Sequence, residues 1–132
     1  MLNLQKIAVI SSGNGGQSLA GYFAYRGYHA YLYARQQARV DMFPSNEFTL
    51  SGVIEATATV DRISCDMEEI LKGAYLIMVT TPSQYHRVVA REMAPWLEDG
   101  QIIVLNPGRT FGTFEFDQTL KENGCYKQVT IA

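Results

Sequence analysis

Cysteine is scarce in this chain: two in 132 residues, Cys65 and Cys125, far apart and next to no histidine cluster. They form neither a Cys-x-x-Cys pair nor a zinc-ligand spacing, so both are read as buried or incidental thiols and no metal site is expected. Charge is also sparse. Charged residues make up 18% and the formal net charge is −2, which removes any electrostatic reason to bind nucleic acid or an anionic membrane. No apolar run approaches the roughly 20 residues of a membrane span. The start, Met1-Leu2-Asn3-Leu4-Gln5-Lys6, enters a strand directly and lacks the apolar core and cleavage site of a signal peptide, so the expected compartment is the cytosol. Repeats, low-complexity tracts and linkers are absent too. With 47% hydrophobic residues, the expectation is one globular domain covering residues 1–132.

The most informative stretch runs from Lys6 to Ser18. A short apolar strand, Ile7-Ala8-Val9-Ile10, leads into Gly13-Asn14-Gly15-Gly16-Gln17-Ser18, and a helical segment from Leu19 to Tyr25 follows at once. Strand, glycine turn and helix in that order are what a dinucleotide-binding βαβ unit requires. One glycine makes the tight turn, a second lets the backbone approach a pyrophosphate, and a small third residue, here Ser18, lets helix and strand pack closely. The helix start then offers unpaired N–H groups and a positive dipole end to the phosphates.

Further strands are expected at 29–34, 75–79, 101–105 and 127–131, in addition to 6–11. Gly27 is placed to end the first helix. Glu47 to Leu50 and Val53 to Ala58 alternate apolar and polar residues around Ser51-Gly52, which reads as a hairpin on a half-exposed sheet edge. Asp66-Met67-Glu68-Glu69 has capping-box spacing, with Asp66 as N-cap and Glu69 reaching back; that helix should end at Gly73. Tyr85, Val88, Val89, Met93, Trp96 and Leu97 mark one apolar helical face, with Pro95 kinking or breaking its last turn. Thr113 to Glu122 should be a last helix. Strands alternating with helices give an α/β fold: a doubly wound, mainly parallel Rossmann-type sheet with a small β-hairpin insertion.

In such a sheet the ligand crosses the carboxyl ends of the central strands. Those ends are Ser11-Ser12-Gly13, then Thr80-Thr81-Pro82, then Asn106-Pro107-Gly108-Arg109. The last two groups are expected towards the nicotinamide half of the cofactor. The second strand closes on Tyr33-Ala34-Arg35 with Arg39 beyond it and no acid in place. An NAD-specific site usually has Asp or Glu there for the ribose 2′-OH, whereas a guanidinium can grip a 2′-phosphate. NADP(H) is therefore favoured. An arginine can also stack on adenine without any phosphate, or Arg35 and Arg39 can form a solvated face, so NAD(H) stays open. His86 lies near the crevice and titrates near neutrality, which suits a substrate pocket, proton transfer or plain packing. Arg109, flanked by Gly108 and Gly112, could bind a substrate carboxylate or cofactor phosphate, or be an exposed loop arginine.

The run Asn106-Pro107-Gly108-Arg109-Thr110, with Gly112 and Glu115-Phe116, resembles the NPGRTGG…EF signature of the octopine/nopaline (opine) dehydrogenase family. Phe111 stands where that signature has glycine. Gly13 to Gly16, Val79 to Ser83 and the hairpin near Leu50-Ser51-Gly52 also look like that family; these pieces are shared with glycerol-3-phosphate dehydrogenase and ketopantoate reductase relatives. The resemblance covers nearly the whole chain but only the N-terminal half of such an enzyme. It implies reductive condensation of an amino acid with a 2-oxo acid, with hydride from NAD(P)H. It also implies that the catalytic histidine and its acidic partner belong to a following helical domain, absent from this chain, so that no catalytic residue is assigned here and the domain alone is inactive. The alternatives are the cofactor domain of a glycerol-3-phosphate dehydrogenase- or ketopantoate reductase-like enzyme, or a stand-alone dinucleotide-binding regulatory module.

Overall fold

In the computed structural model, which describes residues 2–11, 13–50, 56–106 and 112–132, the apolar runs become parallel strands and most periodic segments become helices. In chain order these are β1 (Asn3–Ile10), α1 (Asn14–Tyr25), β2 (His29–Tyr33), α2 (Gln37–Asp41), β3 (Glu47–Leu50), β4 (Ala56–Thr59), β5 (Arg62–Ser64), α3 (Met67–Leu71), β6 (Ala74–Val79), α4 (His86–Met93), β7 (Ile102–Leu105), α5 (Gly112–Glu122) and β8 (Thr130–Ile131). Six strands form one sheet, ordered β5-β2-β1-β6-β7-β8, with every pairing parallel. The chain winds outward from β1 to β5, then returns to the centre at β6 and winds the other way. That is the doubly wound sheet expected, with its reversal between β1 and β6.

Side chains of β1 alternate between two apolar layers. Ile7 and Val9 pack with Ala20 of α1, Leu32 and Ile63. Ala8 and Ile10 pack on the other face with Ile70, Met93 and Phe116 from α3, α4 and α5. Burial from both sides is why β1 and β6 read as near-continuous apolar runs instead of alternating ones. Among the described residues, no helix is long and apolar enough to cross a membrane.

Several expectations need correction. The hairpin does not extend the main sheet; β3 and β4 pair antiparallel as a separate two-stranded sheet. It lies against α1, where a Cβ on Gly21 would come within 2.9 Å of Leu50 Cδ2 and 3.5 Å of Phe48 Cβ. The Ser51-Gly52 turn and the first residues of the expected second arm lie outside the described residues. On α4 the buried side is His86, Val89, Ala90 and Met93, while Tyr85 and Trp96 are exposed. Pro95 ends α4 as expected: residues Ala94–Trp96 form a 3-10 turn with proline in its first positions. The last strand is confined to Thr130 and Ile131. Strand β5 is not among the elements expected from the sequence, and α2 is expected only in the alternative that makes Arg35 and Arg39 a solvated helix face.

The α3 start is half of the expected capping box. Asp66 Oδ1 accepts hydrogen bonds from the Glu68 and Glu69 amides at 3.0 and 3.4 Å. Glu69 does not reach back, because its carboxylate takes Arg62 Nε at 3.1 Å. The Asp66 amide instead donates to Ser64 Oγ at 3.0 Å. Hydrogen bonds from Arg62 and then Ser64 hold the Glu69 carboxyl below its ordinary value. At the other end of α3, buried Lys6 donates to the carbonyls of Glu69 and Lys72 at 3.0 and 2.6 Å. This satisfies C-terminal acceptors and places a cation at the negative end of the helix.

Gln101 pins the centre of this side. Its fully buried amide donates to Leu71 O at 2.9 Å and Ala74 O at 3.0 Å, and accepts from the Glu98 amide at 2.8 Å. Gln101→Leu would keep the volume and strand all three groups. It is expected to lower stability by about 3 kcal/mol in urea unfolding, whereas a loss below about 1 kcal/mol would mean that the three groups find other partners.

Candidate functional site

Four strands finish at one level. Ile10 of β1 pairs with Tyr33 of β2 and Val79 of β6, and Val79 with Leu105 of β7. The ladder then runs one bond further. Ser11 N donates to Tyr33 O at 3.2 Å, Thr80 N to Ile10 O at 3.1 Å and Asn106 N to Val79 O at 2.7 Å. These bonds set the start of each loop, so Ser11 to Gly13, Ala34-Arg35, Thr80 to Pro82 and Asn106 emerge along one carboxyl edge. Pro107, Gly108 and Arg109, expected beside them, lie outside the described residues.

The glycine turn sits at the reversal point of the sheet, and its register differs from expectation. A Cβ on Gly16 would lie 1.8 Å from Ser11 O, 2.9 Å from Ser11 C and 3.1 Å from Thr80 Oγ1. No side chain fits there, so Gly16 is where helix and strand pack closely. Ser18, given that role by spacing, is exposed on α1. The tight turn itself falls on Ser11, whose φ of 133° is a conformation that favours glycine. Gly13, in extended backbone as the N-cap of α1, would bring an added Cβ no closer than 3.7 Å to Ser11 Oγ, and Gly15 faces open space. The spacing of the fingerprint therefore falls on Ser11, Gly13 and Gly16, with the positive-φ turn at Ser11 and the close helix–strand contact at Gly16. The sequence signal was available: Ser11 directly follows the last apolar strand residue.

The N-terminus of α1 has the properties an anion needs. It has no side-chain cap and no acidic residue in its first turn, and Gly13, Asn14 and Gly15 are exposed. Its first amides and positive dipole end therefore face the carboxyl edge without a competing acceptor on their own helix.

Beside this turn lies a cavity of about 320 Å³, lined among others by Ile10, Ser11, Tyr33, Arg35, Thr81 and Tyr85, with Val88, Val89 and Glu92 of α4 closing it. Its size and mixed apolar wall suit a flat ring system. Arg35 is among its lining residues and is paired: Nη2 is 3.1 Å from Glu92 Oε1. The other Glu92 oxygen accepts from Tyr33 Oη at 3.3 Å. Burial, and then the Glu92 carboxylate, push the Tyr33 hydroxyl up to about 12. Tyr33, Tyr85 and Glu92 were not among the residues picked from the sequence, since only folding brings α4 over the end of β2.

Other picks land elsewhere. Arg39, in α2, is not among the residues lining the cavity; its guanidinium lies 5.4 Å from the Phe43 ring centroid. His86 is 1% exposed and packs edge-on to Phe116, with centroids 6.4 Å apart. Its Nε2 and Thr81 Oγ1 are buried without hydrogen-bond partners among the described residues. Thr80 Oγ1 donates to Ile10 O at 3.3 Å, which ties β6 to the glycine turn.

Comparison with known proteins fits this geometry. A family model described as NAD-dependent glycerol-3-phosphate dehydrogenase N-terminus matches residues 6–113. The chain is 31% identical, over 133 aligned positions, to an opine dehydrogenase from Arthrobacter sp. (strain 1C), covering 99% of this chain and 37% of that protein. It is 33% identical over 102 positions to a glycerol-3-phosphate dehydrogenase (NAD(P)+) from Nitratidesulfovibrio vulgaris, covering 75% of this chain and 30% of that one. A solved structure of octopine dehydrogenase with NADH and pyruvate superposes with a TM-score of 0.82 at 22% identity, covering 98% of this chain and 35% of its own, and so shares the fold. The chain spans about a third of the length of these relatives.

Two outcomes follow from the geometry. Gly16→Ala should lower stability by at least about 3 kcal/mol, because backbone blocks the methyl group, while Gly15→Ala should be neutral or stabilise α1 by up to about 1 kcal/mol. Ser11→Gly should stabilise by about 1 kcal/mol through relief of strain. Urea unfolding of the three variants checks the assignment, and equal responses at Gly15 and Gly16 would overturn it. Separately, ultraviolet titration should find Tyr33 protonated until pH approaches about 12, and Glu92→Gln should bring that ionisation down.

Proposed function

This chain belongs to the family of NAD-dependent glycerol-3-phosphate dehydrogenase N-termini, and within it we propose that the cofactor is NADP(H) ahead of NAD(H) and that the protein it serves is an opine-type oxidoreductase. Membership itself makes the chain a dinucleotide-binding dehydrogenase domain. The observation that supports a dinucleotide site is the capless, acid-free N-terminus of α1 set at the reversal point of the sheet. The one that favours NADP(H) is Arg35 just beyond β2, where an NAD-specific site usually has an acid in sequence. At the helix start the first-turn amides of Asn14, Gly15 and Gly16 can receive a pyrophosphate, since the helical ladder begins only with the Gln17 amide on the Gly13 carbonyl at 2.9 Å. Ala34 and Arg35, at the end of β2, would meet the adenosine ribose. Thr80, Thr81, Pro82 and Asn106, and by sequence Pro107 and Gly108, would line the path of the nicotinamide half. Arg109 is the candidate for a substrate carboxylate.

A reduced nicotinamide, when bound, supplies hydride to the imine that an amino acid and a 2-oxo acid form. The residues of this chain orient that group; they do not supply the acid and base, which we assign to a helical domain beyond these residues. Support for the opine reading comes from the Asn106 to Thr110 run and from the similarity to the Arthrobacter enzyme over nearly the whole chain. A second reading, oxidation of a phosphorylated alcohol, is favoured by the description of the matching family.

In calorimetry NADPH should bind several-fold more tightly than NADH, and Arg35→Gln should cost NADPH about tenfold while leaving NADH little changed. Equal affinities in the wild type would overturn the NADP(H) preference. Gly13→Val should leave the fold intact and abolish binding of both. With the full-length protein, NADPH oxidation in the presence of an amino acid plus pyruvate supports the opine reading, whereas turnover of glycerol 3-phosphate with NADP+ instead would replace it.

A further inference from the structure

We infer that Glu92 sets how strongly this site discriminates NADP(H) from NAD(H), by holding the Arg35 guanidinium and placing a carboxylate where a 2′-phosphate would dock. The inference rests on the dinucleotide reading above. By sequence, the end of β2 lacks the acid that marks an NAD-specific site. In space an acid is there, delivered by α4: Glu92 lies 57 positions beyond Arg35 in the chain, yet its Oε1 is 3.1 Å from Arg35 Nη2.

The two members of the pair are not equally fixed. Glu92 is held at both oxygens, the second by Tyr33 Oη at 3.3 Å, and Tyr33 is 7% exposed at the end of a strand in the sheet. The Arg35 side chain is 62% exposed and Glu92 29%. The carboxylate is thus the anchored partner and the guanidinium the movable one. An incoming 2′-phosphate must share Arg35 with Glu92 or pull it away, and it carries its own negative charge towards a carboxylate. Arg35 has five donors, so sharing is feasible and NADPH still binds. What Glu92 removes is part of the advantage that NADPH would otherwise have. A ribose 2′-OH is neutral and meets no such penalty. It can at most donate a hydrogen bond at position 92, which a glutamine amide oxygen also accepts, so NADH affinity should change little when Glu92 becomes Gln.

Glu92→Gln retains the volume and an acceptor for Tyr33 while deleting the charge. Calorimetry on the wild type and this variant should show the ratio of NADH to NADPH dissociation constants rising about tenfold, with NADH changed less than about twofold. The added preference should shrink at high salt, where the freed charge is screened. Glu92→Ala should move the ratio the same way. An unchanged ratio, or an equal loss for both cofactors, would overturn the role of Glu92 while leaving the dinucleotide site standing. If the wild type binds neither cofactor, the dinucleotide reading falls, and this inference falls with it.

Discussion

No Cβ fits between α1 and the end of β1 at Gly16, and the rest of the site is arranged around that contact. Because the helix backbone lies directly against the Ser11 carbonyl, the chain must turn out of β1 and into α1 within a few residues. The turn places Ser11 at a φ of 133°, a strain of about 1–3 kcal/mol for a residue with a side chain. It persists because the surroundings over-determine it: Ser11 N is bonded to Tyr33 O and Thr80 packs on the same corner. The same contact aims the amide end of α1 along the carboxyl edge. Close packing, a strained turn and an exposed positive helix end are thus one feature seen three ways.

The parts of the fold that were legible beforehand are those governed by local chemistry. Burial on both faces makes β1 and β6 apolar along their length, and Gly27 and Gly73, expected at helix ends, both adopt a positive φ. Asp66 caps because a short acid can bond the amides ahead of it. What escaped notice depends on distant partners. Strand β5 is three residues long with a single aliphatic side chain, Ile63, and exists by pairing with β2. The hairpin alternates as any half-exposed strand pair does, so nothing in its pattern says that it covers α1 and stands apart from the main sheet. Glu69 was assigned to a local bond and took a better one, the Arg62 guanidinium, from β5.

The candidate site divides along the same line. Its phosphate end was readable because glycines, a strand and a helix start lie within one continuous stretch, although the motif register was off until the backbone showed which residue has no room for a Cβ. Its ribose end was only half readable. Arg35 is visible at the end of β2, but its partner comes from a helix on the far side of the intervening strands and loops. A residue type read alone, arginine without a neighbouring acid, therefore overstated the positive charge at that end.

Taken along the edge, the charges have a gradient. The α1 terminus contributes a fixed partial positive charge that no residue in its first turn offsets. Arg35 contributes a full charge that Glu92 largely compensates. A dinucleotide laid across this edge meets its strongest positive field at the pyrophosphate and a nearly neutral pair at the ribose. The pyrophosphate is common to both cofactors and the 2′-phosphate belongs to one. On the reading proposed above, such a site would hold the shared part of the ligand at the helix end and grade the distinguishing part by a single movable ion pair. Because that pair links the loop after β2 to α4, while the helix end belongs to α1, the two parts of the edge rest on different helices.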